Sequence, residues 1–269
     1  MSFVQNEHKA RKRFGQNFLN DEYIINSIVD LINPSNEDVL IEIGPGLGAL
    51  TRPTLDKVSH LNVIELDRDL VTRLKDDIKL SHKLSIFEAD ALTFDFSQFY
   101  EKNKKVRVFG NLPYNISTPL IFHLLTFHSL FLDMHFMLQK EVVNRMCAKP
   151  NSKAYGRLSV MTQYFCSVTP VLEVPPSSFT PQPKVDSAII RLLPFDKIDQ
   201  PTKSVKLLEK VTKIAFSQRR KTIRNSLKSL FEPDELISYG FDLKLRPENL
   251  TVENYIYLSN KLFEKSQKM

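Results

Sequence analysis

Five short apolar runs, Val39–Ile43, Leu61–Ile64, Leu84–Phe87, Val106–Phe109 and Met134–Leu138, recur along the first half of the chain with helical stretches between them. This alternation predicts a parallel sheet covered by helices. Upstream, Tyr23, Ile24, Ile28, Leu31 and Ile32 recur at helical spacing until Asn33-Pro34, which predicts one amphipathic helix before the first strand. Two further strand-like runs, Val168–Val174 and Val185–Leu193, are joined by the Pro-rich segment Pro175–Pro183 instead of a helix. A late antiparallel pair follows from that connection, giving about seven strands in a mostly parallel α/β sheet.

Beyond Pro194 the periodicity is helical: Leu207, Leu208, Val211, Ile214 and Ala215, then Ile223, Leu227 and Leu230, then Tyr255, Leu258 and Leu262. The polar stretch Asp196–Lys203, which holds Pro201, reads as a linker. The expected organisation is an α/β domain over 1–195, opened by a basic segment 1–20, and a small all-α domain over 196–269. A chain of 269 residues with 42% hydrophobic content can bury both cores.

No apolar run approaches the ~20 residues a membrane span requires, and Met1–Arg13 is polar and basic without an apolar signal core. The expectation is a cytoplasmic protein that uses no membrane. Cys147 and Cys166 sit in apolar patterns with no histidine at metal-ligand spacing, so free thiols are expected, with no disulfide framework and no metal site. A net charge of +6 suits a polyanionic partner.

The segment Val39-Leu-Ile-Glu-Ile-Gly-Pro-Gly-Leu-Gly-Ala49 is a strand running through a glycine turn into a helix. Gly44, Gly46 and Gly48 let backbone approach a ligand without Cβ clashes, as at nucleotide-like cofactors. Gly44-x-Gly46-x-x-Ala49 also satisfies the relaxed dinucleotide fingerprint, with Glu65 about 20 residues on at the end of the next strand. A carboxylate there binds ribose hydroxyls in either cofactor, so Glu65 leaves NAD and S-adenosylmethionine both open. Asp67 and Asp69 read as solvated acids beyond that strand end. Asp90, closing the third strand, is placed to accept from an adenine amino group, or to cap a loop.

The fourth strand ends in Asn111-Leu112-Pro113-Tyr114, and here the ambiguity breaks. The exocyclic amine of adenine is a weak nucleophile because its lone pair is delocalised into the ring. The Asn111 side-chain oxygen and a backbone carbonyl at Leu112 or Pro113 would accept its two N–H groups, with Pro113 stiffening the backbone and Tyr114 stacking on the base. Neither a metal nor a covalent nucleophile is required.

With these motifs the chain resembles the KsgA family of small-subunit ribosomal RNA adenine dimethyltransferases almost end to end. The likeness extends through Lys12-Arg-Phe-Gly-Gln-Asn-Phe-Leu19, Tyr155-Gly-Arg-Leu-Ser159, Phe179-Thr-Pro-Gln-Pro-Lys-Val-Asp-Ser187 and Ala215-Phe-Ser-Gln-Arg-Arg-Lys-Thr-Ile-Arg-Asn-Ser-Leu227. Arg52, where such proteins often carry an acid, is a helix-surface difference. The resemblance implies a Rossmann-like class I S-adenosylmethionine-dependent methyltransferase fold. It further implies that Asn17 and Leu19 close over the methionine end of S-adenosylmethionine, Gly44 lines it, Glu65 holds the ribose, Asp90 meets the adenine and Asn111 bridges both substrates. The implied target is a pair of adjacent adenosines near the 3′ end of 16S rRNA, each methylated twice, in the small subunit or its precursor.

Reaching N6 requires a flipped base, which costs least in a loop. Phe179 is a candidate second face for a base sandwich with Tyr114. Two basic clusters are placed to track phosphates: Lys9, Arg11, Lys12 and Arg13, and Arg219, Arg220, Lys221, Arg224 and Lys228. A monomer is expected. The competing readings are a non-enzymatic ribosome-assembly factor, which an intact Asn111–Tyr114 motif disfavours, and a nicotinamide dehydrogenase, which offers that motif no role. Within the family, a large-subunit resistance methylase or an organellar transcription factor is a further alternative, and the full helical C-terminal segment leans against the resistance type.

Overall fold

The computed structural model describes residues 16–77, 80–101 and 104–267. The basic stretch Lys9 to Arg13 lies outside them. The strands are β1 (Phe18–Leu19), β2 (Val39–Ile43), β3 (Leu61–Glu65), β4 (Leu84–Glu88), β5 (Val106–Asn111), β6 (Phe131–Gln139), β7 (Cys166–Val174), β8 (Phe179–Thr180) and β9 (Ser187–Pro194). The helices are α1 (Glu22–Ile32), α2 (Thr51–Leu55), α3 (Arg68–Asp76), α4 (Ser117–Leu125), α5 (Lys140–Met146), α6 (Arg157–Phe165), α7 (Val205–Ser217), α8 (Ile223–Ser226), α9 (Pro233–Ser238) and α10 (Val252–Ser266).

Seven strands form one sheet in the order β4-β3-β2-β5-β6-β9-β7. The pairs β2–β3, β3–β4, β2–β5 and β5–β6 are parallel, and β9 runs antiparallel to β6. The order reverses at β2: the chain steps outward through β3 and β4, then returns to place β5 on the other side of β2. Open α/β sheets bind ligands at such a switch point, outside the carboxyl ends of the strands.

Local chemistry explains the frame. Leu40, Ile41 and Ile43 of β2 are buried on both faces, as a central parallel strand requires. Helix α1 opens where the Asp21 side chain accepts from the Ile24 N–H, and it closes at Asn33, whose left-handed φ of 47° asparagine tolerates. Its last carbonyls are met from the sheet: the Arg107 guanidinium donates to Ile32 O and Asn33 O, and it pairs with Asp133 and Asp38. A helix end that would otherwise carry orphan acceptors is thus tied to β5 and β6.

The chain divides into two compact units: the first runs through Lys140 and resumes at Thr169–Leu193, and the second comprises Glu141–Val168 with Pro194 onward. The linker expected near 196 falls close to the second crossing. The second unit also takes in Glu141–Val168, a stretch that sequence pattern places with the α/β domain. Within that unit α6, α7 and α10 pack together around Leu208, Val211, Ala215, Tyr255 and Leu258, all buried. Cys166 is buried and Cys147 half-buried, both free, and burial pushes the Cys166 thiol up to about 12.

Candidate active site

A cavity of about 320 Å³ opens at the carboxyl ends of β2, β3, β4 and β5, in the size range of small-molecule sites. Of the residues singled out in the sequence, it brings together Asn17, Leu19, Gly44, Glu65, Asp90, Asn111, Pro113 and Tyr114 in its lining.

The floor is backbone. Gly46 has φ of +59°, a left-handed value that side chains resist, and a Cβ there would sit 3.4 Å from the Phe18 ring. Gly44, also at positive φ, donates its N–H to Ile64 O and so ties the turn to β3.

The carboxylates stand at successive strand ends. Glu65 is buried. Its Oε1 accepts from the Leu66 and Asp67 N–H groups at 2.9 Å each, and Oε2 accepts from the Gly46 N–H at 3.2 Å. Burial raises its pKa, against the lowering effect of those three bonds. With about four acceptor sites on a carboxylate, the longer Gly46 contact is the one a diol would displace. Asp90 caps its loop, Oδ1 accepting from the Leu92 N–H at 2.9 Å, and the residue lines the cavity.

Asn111 is anchored across 94 residues of sequence: its Nδ2 donates to the Asn17 carbonyl at 3.0 Å. The turn behind it is closed by Ile116 N–H donating to Pro113 O, and Tyr114 O accepts from Ser117 Oγ. The segment Asn17–Leu19 is itself held by pairing of β1 with β8, Phe18 opposite Thr180 and Leu19 opposite Phe179, and by Asn20 Nδ2 donating to Thr180 Oγ1 at 2.7 Å.

Three expectations need revision. Phe179 is 1% exposed and belongs to the hydrophobic core, so its ring is not among the cavity-lining groups. The β1–β8 pairing that secures Leu19 is what turns it inward. Asp67 is buried, not solvated: it caps α3, accepting from the Asp69 N–H through Oδ1 and from Gln16 Nε2 through Oδ2. In the second unit, Arg220, Lys221, Arg224 and Lys228 are exposed, but Arg219 is half-buried, donates to Ser152 O and faces Glu248 at 3.7 Å. Arg52, for its part, pairs with Asp77 at the surface.

Sequence reasoning passed over Glu42, which lines the cavity at 1% exposure. Its Oε2 accepts from Thr51 Oγ1 at 2.7 Å, and burial lifts its pKa to about 8, with Glu65 adding to the rise. A signal was present: a lone carboxylate inside an otherwise apolar strand must be partnered or neutral. Gln16, Phe18 and Leu66 also line the site. Among the described residues no group of three or more His, Cys, Asp or Glu is placed to hold a metal ion.

Sheet order, cavity position and strand-end carboxylates define a class I S-adenosylmethionine-dependent methyltransferase. The family model described as ribosomal RNA adenine dimethylase matches residues 7–264, and the chain belongs to that family. A protein of Actinobacillus pleuropneumoniae serotype 5b named ribosomal RNA small subunit methyltransferase A is 58% identical over 262 residues, 96% of this chain and 91% of its own. One of the same name from Vibrio cholerae is 58% identical over 253 residues, covering 94% and 93%. Among solved structures, a dimethyladenosine transferase from Plasmodium falciparum superposes with a TM-score of 0.79 at 27% identity, covering 93% of this chain and 98% of that one. The 23S rRNA methyltransferase ErmE shares the fold, with a TM-score of 0.68 at 24% identity, covering 92% and 100%.

Proposed function

We propose that this rRNA adenine dimethyltransferase converts two adjacent adenosines in a loop near the 3′ end of 16S rRNA to their N6,N6-dimethyl forms, on the small ribosomal subunit or its precursor. The observation that carries this reading is the Asn111 amide. With Nδ2 committed to Asn17 O, the Oδ1 is the end left to accept from an adenine amine.

The residues present fit the cofactor. Glu65 and Asp90 offer acceptors for a ribose diol and an adenine amine, a side-chain-free turn at Gly44 and Gly46 leaves room for close approach, and Leu66 and Leu92 supply apolar surface for a flat ring. Asn17 and Leu19 would hold its methionine end. When bound, S-adenosylmethionine would supply a methyl group on a sulfonium, which would leave as a neutral thioether as the adenine nitrogen takes the methyl and gives up one N–H proton.

The chain's own part is to bind, orient and polarise the adenine. Asn111 Oδ1 and one backbone carbonyl accept the two N–H groups, drawing the lone pair out of the ring and back onto nitrogen. The Pro113 carbonyl is already engaged by the Ile116 N–H, which favours the Leu112 carbonyl for this task. The Tyr114 ring stacks on the base, a contact worth about 1–3 kcal/mol that holds N6 in line and offsets part of the unstacking cost. In the second unit Arg220, Lys221 and Arg224 contact RNA phosphates, with Arg219 secondary. Among the described residues no helix is long and apolar enough to cross a membrane. The proposed setting is the cytoplasm, with a monomer acting on ribosomal particles.

The test is methyl transfer from labelled S-adenosylmethionine to undermethylated small subunits, with nucleoside digestion and mass spectrometry. Dimethyladenosine at two adjacent sites is expected, and Asn111→Ala abolishes it while leaving cofactor and RNA binding partly intact. Label in large-subunit RNA instead moves the chain to the resistance branch, and full activity of the Asn111 variant overturns the mechanism.

A further inference from the structure

Tyr114 reaches out of its motif to a distant partner: its phenol lies 2.6 Å from Ser187 Oγ, across 73 residues of sequence. Ser187 is fully buried and is not among the cavity-lining residues, so it touches neither cofactor nor base directly. Its backbone is pinned, because it opens β9 directly opposite Gln139 of β6, and the preceding Asp186 O accepts the Lys140 N–H at 2.9 Å. Tyr114, by contrast, sits in a loop past the end of β5, half-buried, and is among the residues that line the cavity.

We infer that Ser187 is a positioning residue for methyl transfer, holding the Tyr114 ring at the tilt needed to stack on the target adenine. Two contacts restrain the residue, one on its backbone and one at the tip of its side chain. The Tyr114 carbonyl accepts from Ser117 Oγ at 3.1 Å, and the phenol is fixed by Ser187 from the sheet. A phenyl ring tethered only at Cα retains freedom about both side-chain torsions, and immobilising it on each encounter with RNA lowers the fraction of encounters in which N6 is in line. The hydroxyl of Ser187 removes that freedom in advance. It supplies orientation and no proton, since the phenol takes no part in the transfer. The inference rests on the proposed stacking role of Tyr114.

The experiment is a double-mutant cycle read by methyl transfer to undermethylated small subunits, with cofactor affinity measured separately by calorimetry. Tyr114→Phe keeps the ring and loses the tether, and Ser187→Ala loses the tether from the other side. Each is expected to lower kcat/KM for the RNA by about 3- to 10-fold, the range of one net hydrogen bond, with cofactor affinity unchanged. The double variant is expected to be no worse than either single one. A serine with a merely structural role would cost as much in the Tyr114→Phe background as in the wild type, and that additivity overturns the proposal. So does full activity of Tyr114→Phe, a result that stands even if Ser187→Ala fails to fold. Tyr114→Ala separates the two layers: if removing the ring costs no more than removing its hydroxyl, the stacking reading itself fails.

Discussion

Glu42 gives the molecule a pH-dependent stability that can be worked out from its surroundings. It lies in the middle of the sheet, accepting one hydrogen bond from Thr51, and burial lifts its pKa from 4.5 to about 8. The unfolded chain releases this proton near pH 4.5, and the folded protein keeps it up to about 8. Between those values the native state binds the extra proton, so stability is complete below 4.5 and declines as pH rises through 8. At about 1.4 kcal/mol per pH unit the whole window amounts to roughly 5 kcal/mol, an upper figure because partial hydration of the open cavity weakens it. The useful interval is pH 7 to 9. His135, which burial keeps neutral with a pKa of about 4, has its effect below the ordinary histidine range and is constant there. Across that interval the Glu42 contribution falls by about 1.4 kcal/mol, a drop in melting temperature of about 3–6 °C. Glu42→Gln keeps an acceptor for Thr51 and cannot ionise, so its melting temperature is expected to lose most of this slope and to exceed that of the wild type at pH 9. Calorimetric scans of the cofactor-free protein at pH 7, 8 and 9 measure it. Equal slopes in the two proteins, or a flat wild-type profile, would refute the reasoning.

Three further outcomes follow from the fold. Arg107→Ala removes the partner of Asp133, whose side chain is 4% exposed, and is expected to cost about 3 kcal/mol in denaturant melts; adding Asp133→Asn, which removes the orphaned charge, recovers part of it. The exposed Arg191, 3.6 Å from Asp133, keeps the loss at the lower end of the range for broken buried pairs. Gly110→Ala places a Cβ 2.3 Å from the Ile43 carbonyl, a backbone atom that cannot rotate away, so β5 must shift against β2. Destabilisation by about 1–3 kcal/mol is expected, with a loss of methyl transfer larger than that of stability because Asn111 is the next residue. Arg220→Ala and Arg224→Ala are each expected to reduce the slope of log affinity for RNA against log salt by about 0.7–0.9, whereas Arg219→Ala, whose guanidinium is engaged by Ser152 O and Glu248, reduces it less; titrations between 50 and 200 mM salt decide.

What could be read from the sequence was whatever depends on position along a strand. Leu40, Ile41 and Ile43 are buried because β2, Glu42 apart, is apolar on both faces, and Glu65 and Asp90 reach the cavity because strands β3 and β4 end where they do. Burial that depends on a distant partner was not legible. Phe179 looks like a recognition aromatic among prolines, yet pairing of β8 with β1, some 160 residues earlier, sets it in the core. Asp67 looks like a surface acid until Gln16 and the start of α3 are seen to enclose it. The extent of the second unit was hidden for the same reason, since helix α6 owes its place to α7 and α10, which come later in the chain.

The motif Asn111–Tyr114 shows where the boundary between the two kinds of information falls. Its four residues are contiguous, and they carry every chemical group that the proposed mechanism asks of the protein: an amide, a carbonyl, a rigid turn and a ring. Their orientation is supplied from elsewhere. Asn17 lies 94 residues before Asn111 and engages the amide nitrogen, which determines that the oxygen is the atom left for the base. Ser187 lies 73 residues after Tyr114 and engages the phenol, which leaves the face of the ring for stacking. A short motif therefore identifies a reaction, because functional groups are local, but it does not make a catalyst. In the proposed mechanism the choice of which atom of each group faces the substrate comes from long-range contacts, one made by the residue just before β1 and the other by the first residue of β9.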